Sequence, residues 1–154
     1  MTTGKDTRWV VAALTLAACV AGASALGFAM KATDQPAFCG SCHVMAEAVR
    51  THKASVHAKL ACNECHAPEN LAAKIPFKAA TGANDVFVNT LGQIKDAVHA
   101  DKNMKETVQK NCLRCHSSTM MNVNMEVKQY CADCHRQVPH MNKMPMSKRT
   151  VAYE

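Results

Sequence analysis

Cys39-Gly40-Ser41-Cys42-His43 opens a pattern that the chain repeats three times. The repeats are Cys62-Asn63-Glu64-Cys65-His66, Cys112-Leu113-Arg114-Cys115-His116 and Cys131-Ala132-Asp133-Cys134-His135. Each is C-x-x-C-H, the attachment signature of c-type haem. The two thiols add to the haem vinyl groups, and the histidine beside the second thiol is placed to bind the iron. A disulfide scaffold would not require a histidine after every pair, and four such coincidences have a chance of about 10⁻⁵. Zinc sites also use Cys and His, but at C-x₂₋₄-C and H-x₃₋₅-H spacing. A histidine abutting each second cysteine suits the edge of a haem better than a tetrahedral ion. The reading is four covalently bound haem c groups.

That reading sets the fold class. The chain has 154 residues and only 5% aromatics, thin material for a core of its own. Four large flat haems wrapped by so short a chain would themselves be the core. The expectation is a mainly α protein with short helices, loops, almost no sheet and a low content of regular secondary structure. Such a domain depends on its cofactors to fold. The formal charge of +6 does not indicate nucleic acid. Four haems bring up to eight propionate charges and turn the balance to about −2. Nor is there a basic run of five or more residues.

Before the first motif, residues 9–30 read WVVAALTLAACVAGASALGFAM, without a charge. A spanning helix needs about 20 such residues. Lys5 and Arg8 precede the stretch, partly offset by Asp6, and keep the N-terminus cytoplasmic. Ala23-Ser24-Ala25 resembles a signal-peptide cleavage site. The apolar run continues past it through Leu26, Phe28 and Met30, which favours an uncleaved anchor. The expected division is 1–8 cytoplasmic, 9–30 transmembrane anchor and 31–154 a compact periplasmic tetrahaem domain. Cys19, the odd cysteine, reads as a small buried hydrophobe within the anchor.

A long gap separates the second and third motifs. Within it, Pro76 and Gly82 read as breaks, and Asn84 as the cap of a helix starting near Asp85. Phe87, Leu91, Ile94 and Val98 then fall on one helical face.

Four histidines lie outside the motifs: His52, His57, His99 and His140. Their number allows four bis-histidine haems. His57 and His140 lie close to their own motifs and reach neighbouring haems more easily than their own. On that argument His140 serves the third haem and His57 the fourth. The first motif continues as His43-Val44-Met45, and methionine is also a haem ligand, one that raises the potential.

On these residues the chain resembles the NapC/NirT family of membrane-anchored quinol dehydrogenases. Carrying the resemblance are the N-terminal anchor, four C-x-x-C-H motifs and the Met45 extension of the first. Ser55-Val56-His57 before the second motif and His140 shortly after the fourth add to it. Within the family the chain is most similar to the branch that serves cytochrome c nitrite reductase. Relatives serving nitrate reductase carry a histidine between the third and fourth motifs, whereas residues 117–130 here read SSTMMNVNMEVKQY.

The resemblance implies a protein that oxidises menaquinol in the inner membrane. It would pass the electrons to a larger periplasmic multihaem subunit that reduces nitrite to ammonia, as part of a hetero-oligomer. It implies that Met45, not His43, holds the first iron, with Asp85 on the other side and Lys78 binding the quinol. It also implies that the second haem takes a lysine from the partner, although His52 or His99 could fill that place. Asp85 would accept a quinol proton, and Lys78 would stabilise the oxyanion left behind. From the residues alone, Lys78 reads equally as an interfacial lysine with its stem along apolar surface. Asp85 reads equally as an acid at a helix N-terminus. The competing function is a passive anchored relay for another periplasmic reductase, with no quinol site and four six-coordinate haems. A zinc module is the third alternative.

Overall fold

The computed structural model describes residues 3–92, 99–138 and 140, with the side chains of residues 3–6 and His43 not described. Helix α1 (Thr3–Ala32) carries the apolar stretch. Its segment Thr7–Ala32 has a mean hydropathy of 2.0, and its apolar window holds no buried residue. At 1.5 Å per residue a helix of this length exceeds the roughly 30 Å of a hydrocarbon core. Trp9 is exposed near one end and Phe28 near the other. Cys19 also lies on the helix surface rather than buried within protein. Thr33 closes α1 by bonding back to the Ala29 carbonyl at 2.7 Å.

Pro36 then starts α2 (Pro36–Cys39), where its missing N–H costs nothing. The first motif passes through a 3₁₀ turn (His43–Met45) into α3 (Ala46–Lys53). Gly40 lets the two segments close up: a Cβ there would stand 3.1 Å from the Pro36 carbonyl and 3.5 Å from Val49. The second motif forms α4 (Cys62–His66), and α5 (Leu71–Thr90) follows, capped by Asn70, whose side chain accepts from the Ala72 N–H at 2.8 Å. Helix α6 (Lys102–His116) ends in the third motif, and its cap, Asp101, accepts from the Met104 N–H at 2.7 Å. A 3₁₀ turn (Ser117–Met120) and α7 (Cys131–Cys134) complete the described elements. No strand occurs among the described residues.

The mainly α class is as expected. The long gap is not. Instead of breaking at Pro76 and Gly82 and restarting at Asp85, the chain forms one helix through all three. Asp85 is therefore inside a helix and not at its N-terminus. Val98 and Ile94, half of the anticipated apolar face, lie outside the described residues.

Side chains alone supply almost no core. Among the described residues the buried apolar residue is Ala67, and the buried polar ones are Thr51, His52 and Asn111. Specific polar contacts hold the short helices instead. Asn111 in α6 donates to the carbonyls of Cys65 and Ala67, each at 2.9 Å, seating the third motif on the second. Gln109 in α6 accepts from the Cys131 N–H at 2.8 Å, seating the fourth motif on the third.

Candidate functional site

The first and second motifs meet at a cavity of about 230 Å³. Cys39 comes to it from α2, and Cys62, Cys65 and His66 come from α4. The 3₁₀ turn after the first motif brings Met45 to the same wall. Phe77, Thr81 and Asp85 recur every fourth residue along α5, so one stripe of that helix closes the far side. Met45 and Asp85, distant in sequence, therefore share one space. Burial pushes the Asp85 carboxyl above the usual aspartate range, and a hydrogen bond with Asn84 pulls part of the way back. A carboxyl raised in this way is closer to neutral pH and better matched to taking up a proton.

Lys78 sits one residue beyond Phe77, on the adjacent face of α5, and points to the end of the anchor. Its ammonium donates to the Met30 carbonyl at 3.2 Å, to the Thr33 hydroxyl and to Asp34 Oδ1 at 2.7 Å. Asp34 also accepts from Asn63 at 2.7 Å on Oδ1 and from Lys74 at 2.6 Å on Oδ2. The side chains of Asp34, Lys74 and Lys78 are 14%, 16% and 15% exposed. Burial alone would raise the Asp34 carboxyl, but the hydrogen bonds from Lys74, Lys78 and Asn63 outweigh it and hold it below its ordinary range. The Lys78 ammonium is thus paired within the chain at the end of the anchor rather than extended into solvent. Asp34, Lys74 and Asn63 escaped the sequence reading. The spacing of the two lysines by four residues was its only visible signal.

The histidines sort themselves by place. His52 is 7% exposed, and its Nδ1 has no hydrogen-bond partner among the described residues. It lines the cavity with His57, His66 and His140. His140 stands with its ring 6.0 Å from that of His66 and 6.0 Å from that of His52, and its Nδ1 lies 3.0 Å from the Ala48 carbonyl oxygen. His57 is 6.1 Å from His116, edge to face. So, among the described rings, His57 meets His116 of the third motif, and His140 meets His66 of the second motif and His52. His43 opens the 3₁₀ turn, His135 follows α7 on the surface, and His99 is exposed and does not line the cavity.

This donor set fits haem. The motif thiols come in pairs with a histidine beside each, and sulfur and imidazole donors converge on an apolar-walled cavity. A buried imidazole with an unpartnered nitrogen is a polar atom waiting for a partner. No described group of three or more His, Cys, Asp or Glu side chains could hold a bare ion. The zinc reading therefore has no site among the described residues.

Residues 3–147 match the model of the NapC/NirT cytochrome c family, N-terminal region. The chain is 52% identical over 136 residues to the cytochrome c nitrite reductase subunit NrfH of Nitratidesulfovibrio vulgaris, covering 88% of this chain and 86% of that one. It is 26% identical over 167 residues to the cytochrome c-type protein TorC of Escherichia coli, covering 86% of this chain and 43% of TorC. Among solved structures it is similar to a chain in the crystal structure of the cytochrome c nitrite reductase NrfHA complex bound to the inhibitor HQNO. The TM-score is 0.82 at 50% identity, covering 95% of this chain and 99% of that one.

Proposed function

The chain belongs to the NapC/NirT cytochrome c family, and from that membership we propose that it is the membrane-anchored, menaquinol-oxidising subunit of a cytochrome c nitrite reductase complex. It carries covalently bound haem c, as the family does, and transfers electrons to the larger subunit, where nitrite is reduced. Residues 1–8 face the cytoplasm, 9–30 span the inner membrane and 31–154 form the periplasmic domain. One observation carries the quinol reading: Met45 and Asp85 line a single cavity with Cys39 of the first motif, and Lys78 on the same helix is tied to the end of the anchor.

Four haem groups are held by thioether links at Cys39 and Cys42, Cys62 and Cys65, Cys112 and Cys115, and Cys131 and Cys134. Met45 takes the first iron in place of His43. His66, His116 and His135 take the other three, with His57 and His140 supplying ligands from outside the motifs. When bound, haem c supplies the one-electron acceptors. The second iron draws its remaining ligand from a lysine of the partner. His52, buried in the cavity, is the internal alternative.

The chain's own residues manage the protons. Asp85, raised by burial, receives a proton from a quinol hydroxyl at its carboxylate. Lys78 presents an ammonium to the oxygen that becomes negative. All three of its N–H bonds are engaged within the chain, so it must release one to reach the quinol.

The test is stopped-flow reduction of the detergent-solubilised holoprotein by a soluble naphthoquinol. Asp85→Asn is expected to slow it by about 10²-fold while chemical reduction by dithionite is unchanged. Wild-type quinol rates in this variant would sink the assignment. EPR spectra showing four low-spin haems indifferent to HQNO would leave the passive relay standing.

A further inference from the structure

Of the three partners of Lys78, Asp34 is the charged one and holds the ammonium most strongly, and the two oxygens of Asp34 are not held alike. Oδ2 belongs to Lys74 at 2.6 Å, and Oδ1 is shared between Lys78 and Asn63, each at 2.7 Å. Were Lys78 the sole partner, its departure would strand a carboxylate that is only 14% exposed. An unpaired buried charge is costly, and that cost would lock the lysine in place. With Lys74 and Asn63 present, the carboxylate keeps a partner on each oxygen after Lys78 turns away. Two ammoniums against one carboxylate also leave the cluster with a net positive charge, to which a quinolate is complementary.

We propose that Lys74 and Asn63 are positioning residues that keep Asp34 paired, so that the Lys78 ammonium is free to move from Asp34 to the quinol oxygen. Lys74 does not line the cavity and acts through Asp34, whereas Asn63 reaches Asp34 from the cavity wall. The inference rests on the assignment of Lys78 to the quinol site, and the test separates the two.

The holoprotein is titrated with HQNO by fluorescence quenching, and KM and kcat for a soluble naphthoquinol are read from haem reduction. Lys74→Gln should weaken HQNO binding and raise KM by about tenfold, the scale of a stranded partly buried polar group, with the haem spectrum unchanged. Lys74→Arg should retain binding. The double variant Lys74→Gln/Asp34→Asn should recover to within about threefold of wild type, because the carboxylate that locks Lys78 is gone. A purely structural role for the cluster predicts the reverse, with the double variant at least as impaired as the single. Asn63→Leu, which removes the other support, reads the same direction should Lys74→Gln fail to assemble. Wild-type binding in Lys74→Gln, or a double variant worse than the single, overturns the inference while Lys78→Gln remains impaired. Wild-type behaviour in Lys78→Gln itself overturns the assignment of that lysine, and the inference with it.

Discussion

Removing the Asn111 amide should loosen the second and third motifs from each other. Asn111 is 8% exposed, and its Nδ2 donates to two backbone carbonyls of α4 and the residue after it, each at 2.9 Å. One of these carbonyls belongs to Ala67, which is 1% exposed. Each bond contributes about 1 kcal/mol net, and a carbonyl left dry costs about 1–3 kcal/mol more. Asn111→Ala opens a space that water can enter, so it should cost about 2 kcal/mol, the bonds alone. Asn111→Leu fills the space with apolar atoms and leaves both carbonyls dry, so its cost should be about 3 kcal/mol or more. The control is Arg114→Ala. Arg114 also reaches this region, bonding the Glu64 carbonyl and pairing with Glu69, both at 3.3 Å. It does so from the surface, where such contacts are worth less than about 1 kcal/mol. The assay is denaturant unfolding of the holoprotein followed by Soret circular dichroism, with the midpoint and slope fitted together. The order Leu, then Ala, then the arginine control is what burial demands. If Arg114→Ala costs as much as Asn111→Leu, the contact between motifs does not depend on dry hydrogen bonds and the reasoning fails.

Two further outcomes follow from the same geometry. The Asp34 carboxyl is held below its ordinary range by Lys74, Lys78 and Asn63. Its stabilising contribution is therefore complete above the unfolded aspartate value and is lost as pH falls through the lowered folded one. Wild-type stability should thus decline from about pH 4 downward more steeply than that of Asp34→Asn, as measured by the unfolding midpoint; parallel curves would show that the clamp contributes nothing. Met45→His should lower the potential of one haem, since methionine ligation raises it. Redox titration of the holoprotein checks this, and four unchanged potentials would remove Met45 from the first iron.

The parts of this molecule that were legible in the sequence are the parts whose chemistry is local. A C-x-x-C-H motif needs five consecutive residues, and the anchor needs an uninterrupted apolar run. Neither depends on what the rest of the chain does. The lack of a core was legible too, because few aromatics cannot enclose a domain, and Ala67 as the buried apolar residue among those described agrees. The non-motif histidines were harder. His52 stands beside Lys53 in sequence, and nothing local separated it from His99 as a candidate ligand, yet α3 turns His52 inward to 7% exposure while Lys53 faces out. Helical rotation separates adjacent residues by about 100°, so a charged neighbour says little about burial.

The sequence of α5 points to a break that the fold does not make, for a reason that lies outside its own residues. Pro76 removes one backbone bond and Gly82 adds flexibility, and locally both argue for a break. What keeps the helix continuous is a partner 40 and 44 residues away: Asp34 holds Lys74 before the proline and Lys78 after it. Bracketing Pro76 in this way fixes both sides of the weak point against the end of the anchor. The proline lies on the exposed side, where its ring meets solvent rather than a packed neighbour. Continuity then determines the site. Because the helix does not restart at Asp85, the stripe Phe77, Thr81 and Asp85 stays in register, and all three reach the cavity. The pairing that ties the anchor to α5 is thus also what delivers Asp85 to Met45, and no window of sequence shorter than residues 34–85 contains both halves of that arrangement.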